Sequence, residues 1–191
     1  MLKFYYGTMG AGKSTEAIKT YTMYERAGKK VKMVQANPGG DGVDYNGPGF
    51  VSSRLCQNDM PAYIFTKVDN IPDKDYDMLI VDEVQFLPPA EIDKLAELVD
   101  DHDKTVICYG LKTDCYGNLF DGSARLLAIA DVTKELSSIC DICHDRPATR
   151  HLRYRGEELD KGGHSPFQDK STEHVEYKSV CRQCWKKEIN R

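Results

Sequence analysis

The sequence predicts an α/β protein built on a doubly wound parallel sheet, with a small cysteine-rich unit at its C-terminal end. Short apolar runs alternate with segments of helical periodicity, the order that gives strand–helix–strand units. Two of those runs, Met78 to Val81 and Val106 to Tyr109, are apolar without alternation, as strands buried on both faces of a parallel sheet are. From about Ile139 the texture changes to cysteines, charges and glycines, which divides the chain into a domain of residues 1–138 and a second of residues 139–191.

The elements follow in order. Leu2 to Tyr6 reads as a strand that stops at Gly7 and restarts as a helix near Lys13. In that helix Ala17, Ile18, Tyr21 and Tyr24 recur at helical spacing, and Gly28 followed by Lys29 and Lys30 marks its end. Val31 to Ala36 is the next strand. Asn37 to Gly49, rich in glycine and proline among polar residues, predicts a loop without regular structure. Tyr63 to Phe65 is strand-like. Pro88 and Pro89 open a helix whose Ile92, Leu95, Ala96 and Val99 share one face. Ser123 to Ala130 is a further helix and Val132 to Leu136 the last strand of the sheet.

Between the first strand and first helix stands Gly7-Thr8-Met9-Gly10-Ala11-Gly12-Lys13-Ser14, a complete G-x-x-x-x-G-K-[ST]. A loop in this setting turns successive backbone N–H groups into a concavity capped by a helix N-terminus, and both favour an anion. Lys13 then reaches the β and γ phosphates of a nucleotide, and the Ser14 hydroxyl is a Mg²⁺ ligand. The sheet is thereby of the P-loop type. The buried strand ends in Asp82-Glu83, which places two carboxylates beside the cradle: Asp82 to orient the Mg²⁺, Glu83 to act as a base on the group that attacks the γ phosphate. An acidic strand end alone is common in any sheet. Beside an intact phosphate loop it completes the set that phosphoryl transfer needs, a lysine, a metal and a base.

Cys140-Asp-Ile-Cys143 and Cys181-Arg-Gln-Cys184 are two C-x-x-C knuckles, able to present four thiolates to one tetrahedral Zn²⁺. A redox motif needs only one such pair. Four thiolates leave no open position for catalysis, so the expected role is structural, with the intervening residues forming a loop clasped at its base. His144 and His164 are superfluous to a saturated zinc, and Cys56, Cys108 and Cys115 belong to no partner motif.

Composition bounds the partners. A 40% hydrophobic content is enough for a core, and no stretch approaches the ~20 apolar residues of a membrane span. The N-terminus lacks a secretory signal, so the expected location is the cytoplasm, without a membrane partner. Seven cysteines in that setting are reduced or metal-bound. A net charge of −4 argues against a general polyanion binder. One competing reading is an ATPase whose zinc module grips nucleic acid. From Ile139 onward, however, eleven Lys and Arg face nine Asp and Glu, and only four aromatic residues are available as stacking platforms.

Taken together, the phosphate loop, Val51-Ser-Ser-Arg54, Asp82-Glu-Val-Gln-Phe86, Gly110-Leu-Lys-Thr-Asp114 and Tyr177-Lys-Ser-Val-Cys-Arg-Gln-Cys184 resemble the type II thymidine kinases in order and spacing along nearly the whole chain. The resemblance implies transfer of the ATP γ phosphate to the 5′ hydroxyl of thymidine with Mg²⁺. It also implies structural Zn²⁺, a homotetramer and feedback by the thymidine triphosphate, while the charge balance sets the expectation of no nucleic-acid partner. It makes Glu83 the general base on the 5′ hydroxyl, and Gly7 to Ser14 with Asp82, Glu83, Val84 and Gln85 the frame of the phosphates. Met9, Phe86, Leu111 and Phe120 match positions that wall the thymine pocket, and Tyr177 a tyrosine that closes on the nucleoside. In the family the loop between the cysteine pairs folds over the base as a lasso. Three departures stand out. Cys115 occupies a place usually held by an aromatic residue, which loosens packing around the pocket. Lys170 to His174 lacks the isoleucine-glycine-glycine that commonly precedes the tyrosine, so the lasso takes a different path. Ser53 and Arg54 replace a histidine or carboxylate, leaving Arg54 as a candidate phosphate contact.

Overall fold

The structure is a computed structural model that describes residues 1–37, 45–53, 58–161 and 175–190. Arg54, Cys56, His164 and the segment 170–174, all singled out in the sequence, lie outside the described residues.

The chain runs β1 (Leu2–Gly7), α1 (Lys13–Arg26), β2 (Val31–Ala36), β3 (Gly47–Ser53), β4 (Asn58–Phe65), β5 (Met78–Asp82), α2 (Pro89–Asp100), β6 (Thr105–Gly110), α3 (Asp121–Ile129) and β7 (Val132–Leu136). These build a seven-stranded sheet of order β3-β4-β2-β5-β6-β1-β7. Every pairing in it is parallel except β3 with β4. β8 (Arg150–Arg155), β9 (Glu158–Leu159) and β10 (Val175–Val180) form a separate sheet of order β10-β8-β9, antiparallel throughout, followed by α4 (Arg182–Ile189).

The unalternating strands behave as their composition requires. Leu79 and Val81 of β5, with Val106 and Cys108 of β6, join Phe4, Val34, Ile92, Leu95 and Leu126 in one core cluster under α2 and α3. Their chain neighbours Met78, Ile80, Ile107 and Tyr109 join Ala17, Ile18 and Met33 in a second cluster under α1. Successive side chains of a strand point to opposite faces, so only a strand covered by helices on both sides can be apolar at every position.

α1 ends as the sequence demands. Gly28 has φ +80°, its N–H donates to Glu25 O at 2.9 Å and Lys29 N–H donates to Tyr24 O at 3.1 Å. This is the paired closure that a left-handed glycine makes possible at a helix C-terminus.

One expectation fails. Asn37 to Gly49 was expected to be loop throughout, yet Gly47, Pro48 and Gly49 begin β3, paired with Ile64, Tyr63 and Ala62. β3 is the edge strand, where a proline's missing N–H costs no ladder bond. Gly49 is required by packing, since a Cβ there would lie 2.5 Å from Ile64 Cγ1. Residues 38–44 of the same stretch are not described.

The turn after β5 that carries the acidic pair is braced by α3. A Cβ on Gly122 would sit 2.3 Å from Leu87 O and 3.2 Å from Val84 O, so helix and turn meet backbone to backbone. Alanine is otherwise the better helix former. Gly122→Ala is therefore expected to lower stability by about 2 kcal/mol through overpacking alone. Urea unfolding checks this, and an unchanged or raised midpoint would show that the contact can relax.

Candidate active site

The end of β1 and the start of α1 shape the phosphate loop. Gly10 and Gly12 adopt φ +74° and +77°, a left-handed conformation that side chains rarely adopt. Gly7 leaves no room for a side chain either, its Cβ position falling 2.5 Å from Leu136 O. Lys13 is buried, and its ammonium donates to Thr8 O at 2.9 Å. Burial pushes that ammonium's pKa below its usual value, while the charges of Glu83 and Asp82 oppose the shift.

β5 delivers the acidic pair to the same place. Asp82 is 2% exposed, and Ser14 Oγ donates to its Oδ2 at 2.8 Å. Desolvation, reinforced by the neighbouring Glu83, raises the Asp82 carboxyl to about 6, against the hydrogen bonds from Ser14 and from the Glu83 N–H. Glu83 itself has φ +53°, an uncommon backbone state for a side-chain-bearing residue and one found at functional turns. Its Oε2 accepts from Gln85 Nε2 at 2.5 Å, and Gln85 Oε1 accepts from Leu111 N–H at 3.0 Å. The buried Gln85 thus ties the acidic turn to the loop after β6.

These groups face one cleft of about 560 Å³. Of the predicted residues, Met9, Gly10, Gly12, Lys13, Ser14, Asp82, Glu83, Gln85, Phe86, Leu111, Phe120 and Tyr177 line it. Gly7, Thr8 and Ala11 belong to the loop but not to the cleft wall, and the Val84 side chain turns into the core. Phe86 and Phe120 meet edge to face at 6.2 Å and make the apolar end. Tyr177, on β10, closes the cleft from the second sheet, with the Arg153 guanidinium 5.9 Å from its ring centre. Cys115 lines the same wall, as do Thr113, Asp114, His151, Thr15, Gln35, Phe50, Ser52 and Ser53. Of these, His151, Gln35 and Phe50 belong to no motif. His151 is recognisable only once the second sheet is docked against the loop after β6.

The four knuckle cysteines converge. The sulfurs of Cys140, Cys143, Cys181 and Cys184 lie within 4.8 Å of one another, with Cys143 and Cys181 3.9 Å apart and none in a disulfide. Four thiolates at ~2.3 Å from a tetrahedral Zn²⁺ stand about 3.8 Å apart, so the donor set fits that ion in kind and in spacing. The Cys140 thiol is lowered to about 6: desolvation acts against the shift, and backbone N–H groups at Cys143, Cys181 and Ile142 overcome it by stabilising the thiolate.

A phosphate cradle, a carboxylate beside it and an apolar pocket within reach of both are the equipment for moving a phosphoryl group from a nucleotide to a small acceptor. Fold and cleft together define a nucleotide-dependent phosphotransferase. Comparison with known proteins narrows the class: the family model described as thymidine kinase matches residues 1–185. The chain belongs to the thymidine kinase family. It is 37% identical to the thymidine kinase of Streptococcus thermophilus strain CNRZ 1066, over 96% of this chain and 92% of that protein. Against the thymidine kinase of Streptococcus gordonii strain Challis the identity is also 37%, over 87% of this chain and 91% of the relative.

Gln85 is the joint of the acidic turn. Gln85→Leu removes both of its bonds and leaves the Leu111 N–H unpaired, for an expected loss of about 1–3 kcal/mol. Equilibrium unfolding measures it, and wild-type stability in the variant would show that Leu111 finds another acceptor.

Proposed function

We propose that this chain phosphorylates thymidine at its 5′ hydroxyl from ATP, with Glu83 as general base. The observation that carries the reading is Glu83 itself, held by Gln85 between the phosphate loop and the Phe86–Phe120 pocket. The nucleoside's base fits the apolar end of the cleft and its 5′ hydroxyl points back toward Glu83. The Glu83 carboxylate takes the hydroxyl proton as the oxygen attacks the γ phosphorus. The bond from that phosphorus to the bridging oxygen breaks, and ADP leaves with the electron pair.

Gly7 to Ser14 surround the phosphates with N–H donors, and Lys13, anchored at the loop's mouth, neutralises charge on the transferring group. Ser14 and Asp82, two hard oxygen donors already in contact, would hold a Mg²⁺. That ion, when bound, neutralises charge on the phosphate oxygens. Residues 139–191 act as a lid domain, and Cys140, Cys143, Cys181 and Cys184 would hold a Zn²⁺ that stabilises its fold. The resemblance supports a homotetramer in the cytoplasm. Consistent with that location, no helix among the described residues is long and apolar enough to cross a membrane.

Thymidine, deoxyuridine, deoxycytidine and purine deoxynucleosides offered in parallel test the acceptor, and thymidine is expected to be preferred. Glu83→Gln should keep ATP affinity and lose about 10³-fold in transfer rate. A variant retaining most of the rate would remove Glu83 from this role. Chelation of the metal should melt the second sheet as a separate low-temperature transition and abolish thymidine binding while leaving the seven-stranded sheet folded. Unchanged thymidine affinity in verified metal-free protein would contradict a role for the cysteine cluster in forming the pocket.

A further inference from the structure

Met9, in the middle of the phosphate loop, has its peptide groups gripped from both sides by the second sheet. Its N–H donates to His151 Nε2 at 2.9 Å, and its carbonyl accepts from Ser179 Oγ at 2.6 Å. His151 and Ser179 are register partners across β8 and β10, so the two bonds come from one rung of the ladder. Ser179 is itself fixed to the first knuckle. Its N–H donates to the Asp141 carboxylate at 2.6 Å, and its carbonyl accepts from Asp141 N–H at 2.8 Å. The line from the cysteine cluster to the phosphate loop is two residues long.

His151 is 3% exposed and lines the cleft. Because Nε2 accepts from Met9, the neutral ring carries its proton on Nδ1, and the backbone at Thr113 and Asp114 favours a protonated ring without overcoming burial. A second ring proton would set two N–H groups against each other. The surroundings prevent it: burial, then the Lys13 ammonium, pull the imidazole down to about 4. A lysine or arginine at this position could not accept the Met9 N–H, and an aliphatic residue would leave it unpaired. The imidazole also joins three parts of the cleft at once, namely the phosphate loop, the loop after β6 and the second sheet.

We propose that His151 is a positioning residue for phosphoryl transfer: as a hydrogen-bond acceptor it fixes the Thr8–Met9 peptide, and so sets the phosphate loop from the cysteine-bearing unit. This deepens the phosphotransferase reading and rests on it. Ser179, which holds the Met9–Gly10 peptide on the other side of the Met9 Cα, is the second half of the clamp.

The test compares His151→Leu, which removes the acceptor, with His151→Gln, whose amide can accept from Met9 and donate to the 113–114 backbone. In His151→Leu the Met9 amide is expected to exchange with solvent about tenfold faster, and kcat for thymidine-dependent transfer to fall about tenfold, with metal content unchanged. His151→Gln should recover most of both. A filler role would instead lower the melting temperature with kcat per folded molecule unchanged, and glutamine would not rescue. Unaltered Met9 exchange in His151→Leu, unchanged kcat, or a glutamine variant as impaired as leucine would each overturn the proposal. Should His151→Leu fail to fold, ¹⁵N spectra of the unaltered protein decide: an Nδ1-protonated neutral ring at pH 7 supports the clamp, and an Nε2-protonated or cationic ring refutes it. Absence of thymidine-dependent transfer in the unaltered protein would overturn the assigned reaction, and Met9 exchange with the ring-nitrogen signals would then judge the clamp.

Discussion

A buried carboxylate bonded to a serine hydroxyl sets the geometry of the cleft. Asp82 is almost sealed from water at the end of β5, and its bond to Ser14 pins the first turn of α1 to that strand. A desolvated carboxylate strongly favours either a proton or a nearby cation, and its raised pKa is the signature of that tension. The fold places the Lys13 ammonium and the Ser14 hydroxyl there by sheet order alone, because β5 lies two strands from β1, with β6 between them. The acidic turn that follows is then held by Gln85 and by the bare backbone of Gly122.

Polar contacts bind the second sheet to this arrangement. The Met9 N–H and the Met9 carbonyl are bonded to His151 and Ser179 of β8 and β10. Asp160, its side chain fully buried, brings Arg153, Arg155 and the Tyr116 hydroxyl to one point, linking β8 to the loop after β6. A buried ion pair of this kind adds little net stability relative to an apolar contact, but it tolerates only one docking geometry once its partners are assembled. Specific polar joints suit a part that must meet the phosphate loop in a defined register. The second sheet has its own small apolar core around Leu152, Val180 and the cysteines, on which that register rests.

The sequence disclosed the elements where one physical cause acted alone. Unalternating runs meant strands covered on both sides, Gly28 meant a helix end, and the phosphate-loop pattern meant a turn of N–H groups between strand and helix. β3 escaped notice because its first three residues, Gly47, Pro48 and Gly49, carry the chemistry of a loop; only the position at the sheet edge and the crowding by Ile64 make them strand residues. In the cleft, motif residues were legible because phosphate chemistry constrains their type and spacing. His151, Gln35 and Phe50 were not, since their place in the wall is created by tertiary approach of segments far apart in the chain. Gln85 was named as a phosphate neighbour, and the structure shows its buried amide joining Glu83 to Leu111.

The two margins of the large sheet differ from its centre. β7 closes one side with Thr133, Lys134 and Glu135 exposed, and β3 closes the other with Pro48 and two glycines. An unpaired strand margin is a template on which further chains can add, and charges or a proline at that margin deny the incoming chain regular hydrogen bonds. The residues that looked least like a strand are therefore those best suited to end a sheet. Among the described residues, they end a seven-stranded sheet at margins unsuited to seed fibrous assembly.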